Sequence, residues 1–407
     1  MTRATGTGLF RLLMYGLILA SAAAQFALVP VMPVYAHQLG LSGFQQGLVL
    51  GATGLATLAV SVPAGTLSDR FGARRITLAA GLLMAVATSG QALAGSFPAL
   101  LAARLAFGAG YGVLWTAGLC WLAAGAAGPR ALGGSVASAG VGGVAGPAVS
   151  GALAEHLGLA VPLLAAGAGF AVITAGLAAL RVPPGPIAPG REAAAPGLRA
   201  ALRERGVIGA AAAVVTAGLS TGACALLVPA QLHLAGASSG QIGLAFAAAG
   251  ILFAAGSALT TAAGRRAVNL PVTCVAMLAL TAALALGVLS AAPLMLIAML
   301  CAATTARSVL WTVSYPLAAE AAGRRGIGLG ASVGLLNGIW AATAVLGPLG
   351  AGLAAQHLGG RAAFGLTEAG CAAALAVTVI AAGRSRLRAR VPGRLATRVP
   401  ARRAAVP

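Results

Sequence analysis

The chain contains very few charged residues. Of its 407 residues only 8% are charged and only six are acidic, whereas 59% are hydrophobic. A water-soluble domain has about 25% charged residues, so this chain has too few polar groups to cover a folded surface in water. A soluble globular protein is thereby excluded, and the mean hydropathy of +0.95 predicts a protein embedded in lipid.

Lysine is absent, and all 26 basic residues are arginine, which gives a formal net charge of +20. A basic excess is typical of nucleic-acid-binding proteins, but its distribution here differs from theirs. In the topology described below, all the arginines except Arg104, Arg307 and Arg361 lie on the predicted cytoplasmic side. This is the positive-inside pattern of membrane proteins, and it predicts a lipid bilayer, not nucleic acid, as the partner.

The sequence offers no recognisable chemistry for a metal or a reaction. Its five cysteines lie inside predicted spans without metal-ligand spacing, so we interpret them as small apolar packing residues. We find no paired intramembrane acids, no histidine–aspartate metal set and no nucleophile beside a base. We therefore expect no metal, no cofactor and no enzyme.

Long apolar runs dominate what is present. A helix needs about 20 apolar residues to cross the hydrocarbon, and runs of that length recur here without the alternation of a β-barrel. They predict an all-α membrane protein with twelve transmembrane helices. The spans are expected near residues 8–36, 44–67, 76–95, 98–125, 133–156, 160–180, 207–233, 241–262, 269–290, 293–318, 327–356 and 361–383.

One long polar stretch, rich in proline and arginine, interrupts the interior of the chain. It divides the spans into two sets of six and predicts a linker between two helix bundles. The predicted domains are an N-terminal six-helix bundle at 1–180, a cytoplasmic linker at 181–206, a C-terminal six-helix bundle at 207–383 and a disordered basic cytoplasmic tail at 384–407.

The two halves are related by an internal repeat. Residues 27–48 align with 223–244 at an offset of 196, and the same offset aligns the two VLWT segments that begin at Val113 and Val309. After a shift of five residues, GPAVSGALAEHLG matches GPLGAGLAAQHLG later in the chain. Three matches in the same order predict two homologous bundles.

A short charged turn, GTLSDRFGARR, lies between the second and third spans. It resembles the signature loop of the major facilitator superfamily, in which glycine, aspartate–arginine, glycine and basic residues follow at fixed spacing, although Ala73 stands where a first basic residue is common. The resemblance implies two parallel six-helix bundles that alternate in access around a central cavity. It also implies a conformational latch in the outward-open state, formed by Gly65, Asp69, Arg70, Gly72, Arg74 and Arg75.

The fourth span contains a buried arginine. RLAFGAGYG, which begins at Arg104, resembles the family's motif of arginine followed by two spaced glycines. Arginine inside a bilayer costs several kcal/mol unless it faces a partner or water, and the resemblance implies proton or substrate handling. A structural hydrogen bond to backbone carbonyls is the alternative. Glu368, two turns into the last span, is a second candidate for carrying protons.

The resemblance also implies that the first, fourth, seventh and tenth spans line the cavity. The expected lining residues are Gln25, Tyr111, Trp115, Thr221, Arg307 and Trp311. Aromatic walls favour lipophilic or cationic ligands, although they equally suit plain helix packing.

The fifth span carries Gly142, Gly146, Pro147 and Gly151. Their spacing resembles a motif associated with drug:proton antiporters. Proline removes a helix hydrogen bond and glycine permits close contact, so we expect a bend in this helix.

These features predict a secondary active transporter in the bacterial cytoplasmic membrane, a monomer with both termini in the cytoplasm. The favoured function is proton-coupled efflux of small lipophilic or drug-like compounds. The alternative is an importer or facilitator of a small metabolite such as a sugar, amino acid or organic acid. It is favoured by Gln25, because relatives often carry an acid in the first span.

Overall fold

The structure is a computed structural model that describes residues 3–123, 130–180, 204–324 and 329–390. In these ranges all regular structure is helical, as the sequence predicts. The described ranges contain twelve long helices: α1 (Arg3–Leu39), α2 (Gly43–Phe71), α3 (Ala73–Ala92), α4 (Phe97–Leu122), α5 (Arg130–Leu157), α6 (Val161–Ala179), α7 (Arg205–Leu234), α8 (Ser239–Ala263), α9 (Leu270–Leu289), α10 (Pro293–Gly323), α11 (Leu329–Leu358) and α12 (Gly360–Arg390).

Eleven of these helices are long and apolar enough to cross a membrane. The exception is α3, which has the length but is less apolar, because it contains Arg74, Arg75 and Gln91. Large apolar side chains are exposed around the outside of the molecule, for example Val172 and Leu294. Such a surface is stable in hydrocarbon, so the fold is that of an all-α membrane protein.

The structure bears on two of the predicted domain boundaries, those of the linker and of the C-terminal tail. Most of the predicted linker, 181–203, lies outside the described ranges, while α7 already begins at Arg205. The final helix continues to Arg390, so the first residues of the predicted disordered tail are helical. Arginine and leucine are good helix formers and cations are favourable near a helix C-terminus, which explains the extension. Residues 391–407 lie outside the described part.

The sequence repeat has a counterpart in local structure. Ser42 caps α2 and Ser238 caps α8, each in a capping box with a glutamine three residues later. The turns before these caps contain Gly40 and Gly236, whose φ angles are +60° and +88°. Glycine adopts such angles without strain, so both halves reverse direction with the same residues.

Two helix pairs make the main contacts between the halves, α2 with α11 and α5 with α8. One apolar cluster contains buried residues of both halves, and it includes Leu28, Val49, Leu227, Ile242 and Ala351. We call this end of the molecule, where α1 ends and α2 begins, the closed side. The other end, where α1 begins, is the termini side.

Glycine and proline make the two contacts unusually close. A Cβ atom on Gly47 of α2 would collide with the carbonyl oxygen of Pro348 in α11 and lie 2.9 Å from Leu349 Cα. At the equivalent position of the repeat, a Cβ on Gly243 of α8 would collide with the carbonyl oxygen of Pro147 in α5. Small residues allow such backbone approach in membrane helices.

The halves separate toward the termini side. An added Cβ on Gly65 of α2, Gly140 of α5 or Gly338 of α11 would meet no atom within 4 Å. The apolar side chains of Leu67 and Val141 on the same helices are exposed there. The space between the two bundles is therefore open toward the termini side and closed at the other.

We predict that Gly47→Val lowers the unfolding temperature, because overpacking a tight contact costs about 1–3 kcal/mol. The control is Gly350→Val, since an added Cβ on Gly350 of α11 meets nothing within 4 Å. Thermal unfolding in detergent measures both variants. Equal unfolding temperatures for Gly47→Val and the wild type would contradict the close crossing of α2 and α11.

Candidate functional site

A cavity lies between the two halves, beneath the closed side. The cavity has a volume of about 100 Å³ and continues into space that is open to solvent. Its enclosed part is thus smaller than a typical small-molecule site of about 300–1,000 Å³. The cavity is lined by Gln25, Phe26, Val29, Leu50, Thr53, Gly54, Thr57, Arg104, Tyr111, Gly218, Thr221, Gly222, Ala225, Trp340, Ala344 and Pro348.

Arg104 is the charged residue in this wall, and only 1% of it is exposed. Its Nη2 donates a hydrogen bond of 2.8 Å to the backbone carbonyl of Gln25, with the Gln25 side-chain oxygen 3.4 Å away. Its Nη1 lies 3.4 Å from the side-chain oxygen of Gln91. All these acceptors are neutral, and Nε has no hydrogen-bond partner.

Gln91 is a partner that the sequence reasoning missed. It is 1% exposed, and its backbone carbonyl accepts a 3.2 Å hydrogen bond from the hydroxyl of Tyr35. A polar residue deep in an apolar span was the available signal, because buried polar groups need partners. Gln91 therefore helps to hold Arg104 from the side of α3.

Of the predicted lining residues, Gln25, Tyr111 and Thr221 line the described cavity, together with Arg104. Trp115, Arg307 and Trp311 are not among its lining residues. Trp115 packs on Tyr111 at a ring distance of 6.0 Å. Arg307 and Trp311 are absent from the lining because they lie on α10, which packs against α7 and α11. Those two helices form the part of the cavity wall that the second half supplies.

The aromatic lining from the second half comes from Trp340 on α11, which the sequence reasoning also missed. Its ring packs edge-on against Trp311 at 6.3 Å, and Trp311 stacks on Tyr315 at 6.2 Å. The Tyr315 hydroxyl donates a 2.7 Å hydrogen bond to Asn337. This aromatic group connects α10 to the cavity wall on α11.

Arg307 lies near the middle of α10 and is half-buried. Its Nη2 donates a 2.8 Å hydrogen bond to the hydroxyl of Thr304 one turn earlier. Its Nη1 is buried and has no hydrogen-bond partner. Arg104 in the first half and Arg307 in the second are therefore both guanidinium groups that no described carboxylate contacts.

The predicted latch residues lie on the termini side, where the halves are apart. Asp69, Arg70 and Arg75 are exposed, and no described group forms an ion pair with Asp69. Gly72 has a φ of +86° in the turn between α2 and α3. Arg74 instead donates to the carbonyls of Ala178 and Leu180 at the end of α6, at 2.7 and 3.2 Å.

The glycine–proline set of α5 contacts two different helices. An added Cβ on Gly142 would collide with α1 at the Leu19 carbonyl, and one on Gly146 would lie 2.7 Å from Ala23 Cα. Gly151 instead crosses α8 at Ser239. The helix is continuous from Arg130 to Leu157 through Pro147. Its glycines lie where α5 meets α1 in its own half and α8 in the opposite half.

Glu368 lies on α12, which packs against α7, α9 and α11. It is half-buried and is not part of the cavity wall. Of the described residues that line the cavity, none is an aspartate or a glutamate.

Polar contacts hold the closed side together at two equivalent positions of the repeat. The carboxylate of Glu155 on α5 accepts from the Ser238 hydroxyl at 2.8 Å and from the Gly240 backbone N–H at 3.0 Å. The side-chain oxygen of Gln356 on α11 accepts from the Phe44 backbone N–H at 3.2 Å. Each acceptor thus meets the N-terminus of a helix in the other half, where partial positive charge favours it.

The sequence profile described as "Major Facilitator Superfamily" matches residues 14–333. The chain belongs to this superfamily. The twelve helices, the repeat and the cavity between the halves agree with that membership.

Two curated relatives match parts of the chain. One is the "Uncharacterized MFS-type transporter YuxJ" of Bacillus subtilis, which is 34% identical over 139 residues, or 32% of this chain and 35% of the relative. The other is the "Quinolone resistance protein NorA" of Staphylococcus aureus, which is 33% identical over 86 residues, or 21% of this chain and 22% of the relative. The matches thus span about a third and a fifth of these relatives.

Solved structures match nearly the whole chain. A bacterial homolog of the human lysosomal transporter Spinster, in an inward-facing and unoccupied conformation, has a TM-score of 0.72 at 17% identity and covers 97% of this chain and 100% of its own. The nucleoside transporter NupG has a TM-score of 0.70 at 12% identity, covering 91% and 99%. These likenesses show that the chain has the same fold as these proteins.

We predict that Arg104→Met raises the unfolding temperature, because burying a charge without a counter-charge costs several kcal/mol. The control is Arg361→Met. Arg361 is exposed and donates to the carbonyls of Val288 and Leu289 at the end of α9, so its loss should lower the unfolding temperature. A marked fall in the unfolding temperature of Arg104→Met would show that the main role of Arg104 is to stabilise the fold through its hydrogen bonds to Gln25 and Gln91.

Proposed function

We propose that this superfamily transporter exports small lipophilic compounds from the bacterial cytoplasm by alternating access, with protons moving inward. The observation that carries the proposal is the cavity between the halves, which is apolar and aromatic apart from a few polar groups. The spacing of glycine and proline in α5 and the partial match to a quinolone resistance protein both favour the export branch.

In the proposed orientation the termini side faces the cytoplasm. The arginine-rich ends of the helices would then lie on the cytoplasmic side, where basic residues are favoured. The cavity, which is open toward the termini side, would be accessible to compounds in the cytoplasm or the inner leaflet. This geometry corresponds to the loading state of an exporter.

Import or facilitated passage of a small metabolite is the second candidate. It is favoured by the absence of a carboxylate among the described lining residues of the cavity. Glu368 lies two turns into α12, whereas Glu155 and Glu320 lie in the last turns of their helices, so we assign Glu368 the proton-carrying role if export is proton-coupled. Facilitated passage needs no such group.

Purified protein in liposomes with an imposed pH gradient distinguishes these functions. We expect lipophilic test compounds to accumulate against their gradient when protons flow in the opposite direction, and Glu368→Gln to abolish this dependence. Transport that does not respond to the pH gradient would contradict proton antiport. Substrate-induced alkalinisation of the medium by intact cells would favour import instead.

We also propose that Asp69 closes the termini side in the outward-open state. There its carboxylate would pair with arginine or a helix N-terminus, as anions do at such sites. In the present state the halves are apart at this end, which agrees with an unpaired Asp69.

Asp69→Asn should therefore reduce turnover at least about tenfold, a loss of about 1.4 kcal/mol in transition-state stabilisation, without changing the unfolding temperature. The measurement is initial transport rate in liposomes. Glu320→Gln is a charge-matched control, because Glu320 forms only an exposed 3.6 Å ion pair with Arg265 on the same side, and such pairs contribute little. Wild-type rates in Asp69→Asn would contradict the latch.

A further inference from the structure

Two of the eight buried side-chain polar atoms that lack a partner in the described part of the chain belong to residues that line the central cavity. Thr53 is 2% exposed and Arg104 is 1% exposed, and both line this cavity. The Thr53 hydroxyl and the Arg104 Nε have no hydrogen-bond partner. A buried polar group without a partner costs about 1–3 kcal/mol, and a ligand in the cavity that bonds to these two groups would offset that cost.

The charge balance indicates the sign of that ligand. In the described part of the chain, ion pairs link Arg265 to Glu320 and Arg324 to Glu204, all near the termini side. No described carboxylate contacts Arg104, and its shorter hydrogen bond goes to a neutral carbonyl. A buried cation without a counter-charge raises the local potential, and this effect is strong where the dielectric constant is low.

Arg307 is a second guanidinium of this kind, in the other half. It also lacks a described carboxylate partner, and its Nη1 has no hydrogen-bond partner. Because water is scarce in the membrane interior, these charges are screened less than exposed ones. A cationic ligand would be repelled from a cavity with this charge distribution.

We propose that the central cavity binds amphipathic anions, in which an apolar or aromatic body carries one carboxylate or a similar acidic group. The acid is held by Arg104 and Thr53. The aromatic body packs against Phe26, Tyr111 and Trp340, which line the same cavity. Guanidinium groups form strong charge-assisted hydrogen bonds with carboxylates.

This inference narrows the substrate class that the sequence favours, since lipophilic cations are disfavoured. It rests on the proposed function only in taking this cavity as the substrate site. The direction of transport and its coupling to protons are separate questions. Binding can be measured without any gradient, so a failure of export would leave this test unchanged.

The test uses the full-length protein in lipid nanodiscs and three probes with one skeleton: 2-naphthoate, 2-naphthamide and 2-naphthylmethylammonium. Isothermal titration calorimetry gives each affinity. We expect naphthoate to bind at least about tenfold more tightly than the amide, which corresponds to about 1.4 kcal/mol, and the ammonium probe to bind most weakly. The preference should disappear in Arg104→Gln and remain in Arg104→Lys.

Thr53→Val provides a second readout that does not alter charge. It should weaken naphthoate binding about threefold or more, as expected for one lost hydrogen bond of about 1 kcal/mol. The matched control is Thr88→Val, because Thr88 is also buried with an unpartnered hydroxyl but does not line the cavity. It should leave binding unchanged.

Four results would overturn the proposal. The first two are equal binding of naphthoate and naphthamide by the wild type and failure of all three probes to bind. The third is a carboxylate preference that persists in a folded Arg104→Gln variant. The fourth is tighter binding of the ammonium probe than of naphthoate.

Discussion

The close crossing of α2 with α11 and of α5 with α8 is the contact on which the arrangement of the two halves depends. At each crossing a glycine of one half lies against the carbonyl of a proline in the other, Gly47 against Pro348 and Gly243 against Pro147. Lipid provides little hydrophobic force between helices, so such associations depend on packing and on a few polar bonds. The hydrogen bonds of Glu155 and Gln356 to helix N-termini supply the polar part at the closed side.

This arrangement permits two states. The crossings join the halves only at one end, which leaves the other end apart and the central cavity accessible from it. Small residues on both faces mean that few side chains interlock, so one bundle can rock on the other without unpacking its own core. Each half retains separate apolar contacts, such as the cluster around Phe107 and Trp121 in the first. A pivot of this kind is what the proposed alternating access requires.

Much of the fold was predictable from the sequence, because membrane helices must be long and apolar and because the repeat is visible in the residues themselves. The twelve helices and the Gly–Pro positions follow from those constraints. Trp340 and Gln91 could not be placed in the same way, since the sequence shows which residues share a helix face but not which neighbouring helix lies in front of it. For the same reason the sequence predicted that Arg307 and Trp311 line the cavity, whereas they are not among its described lining residues.

The central claim is that the two halves pivot about these crossings, and distances between spin labels on α2 and α11 test it directly. One pair, at Phe44 and Leu353, reports on the closed side, and a second pair, at Leu67 and Gly334, reports on the termini side. The account predicts two populations for each pair, with the first distance lengthening as the second shortens when substrate is added. A Phe44–Leu353 distance that stays short and single under all conditions would contradict it.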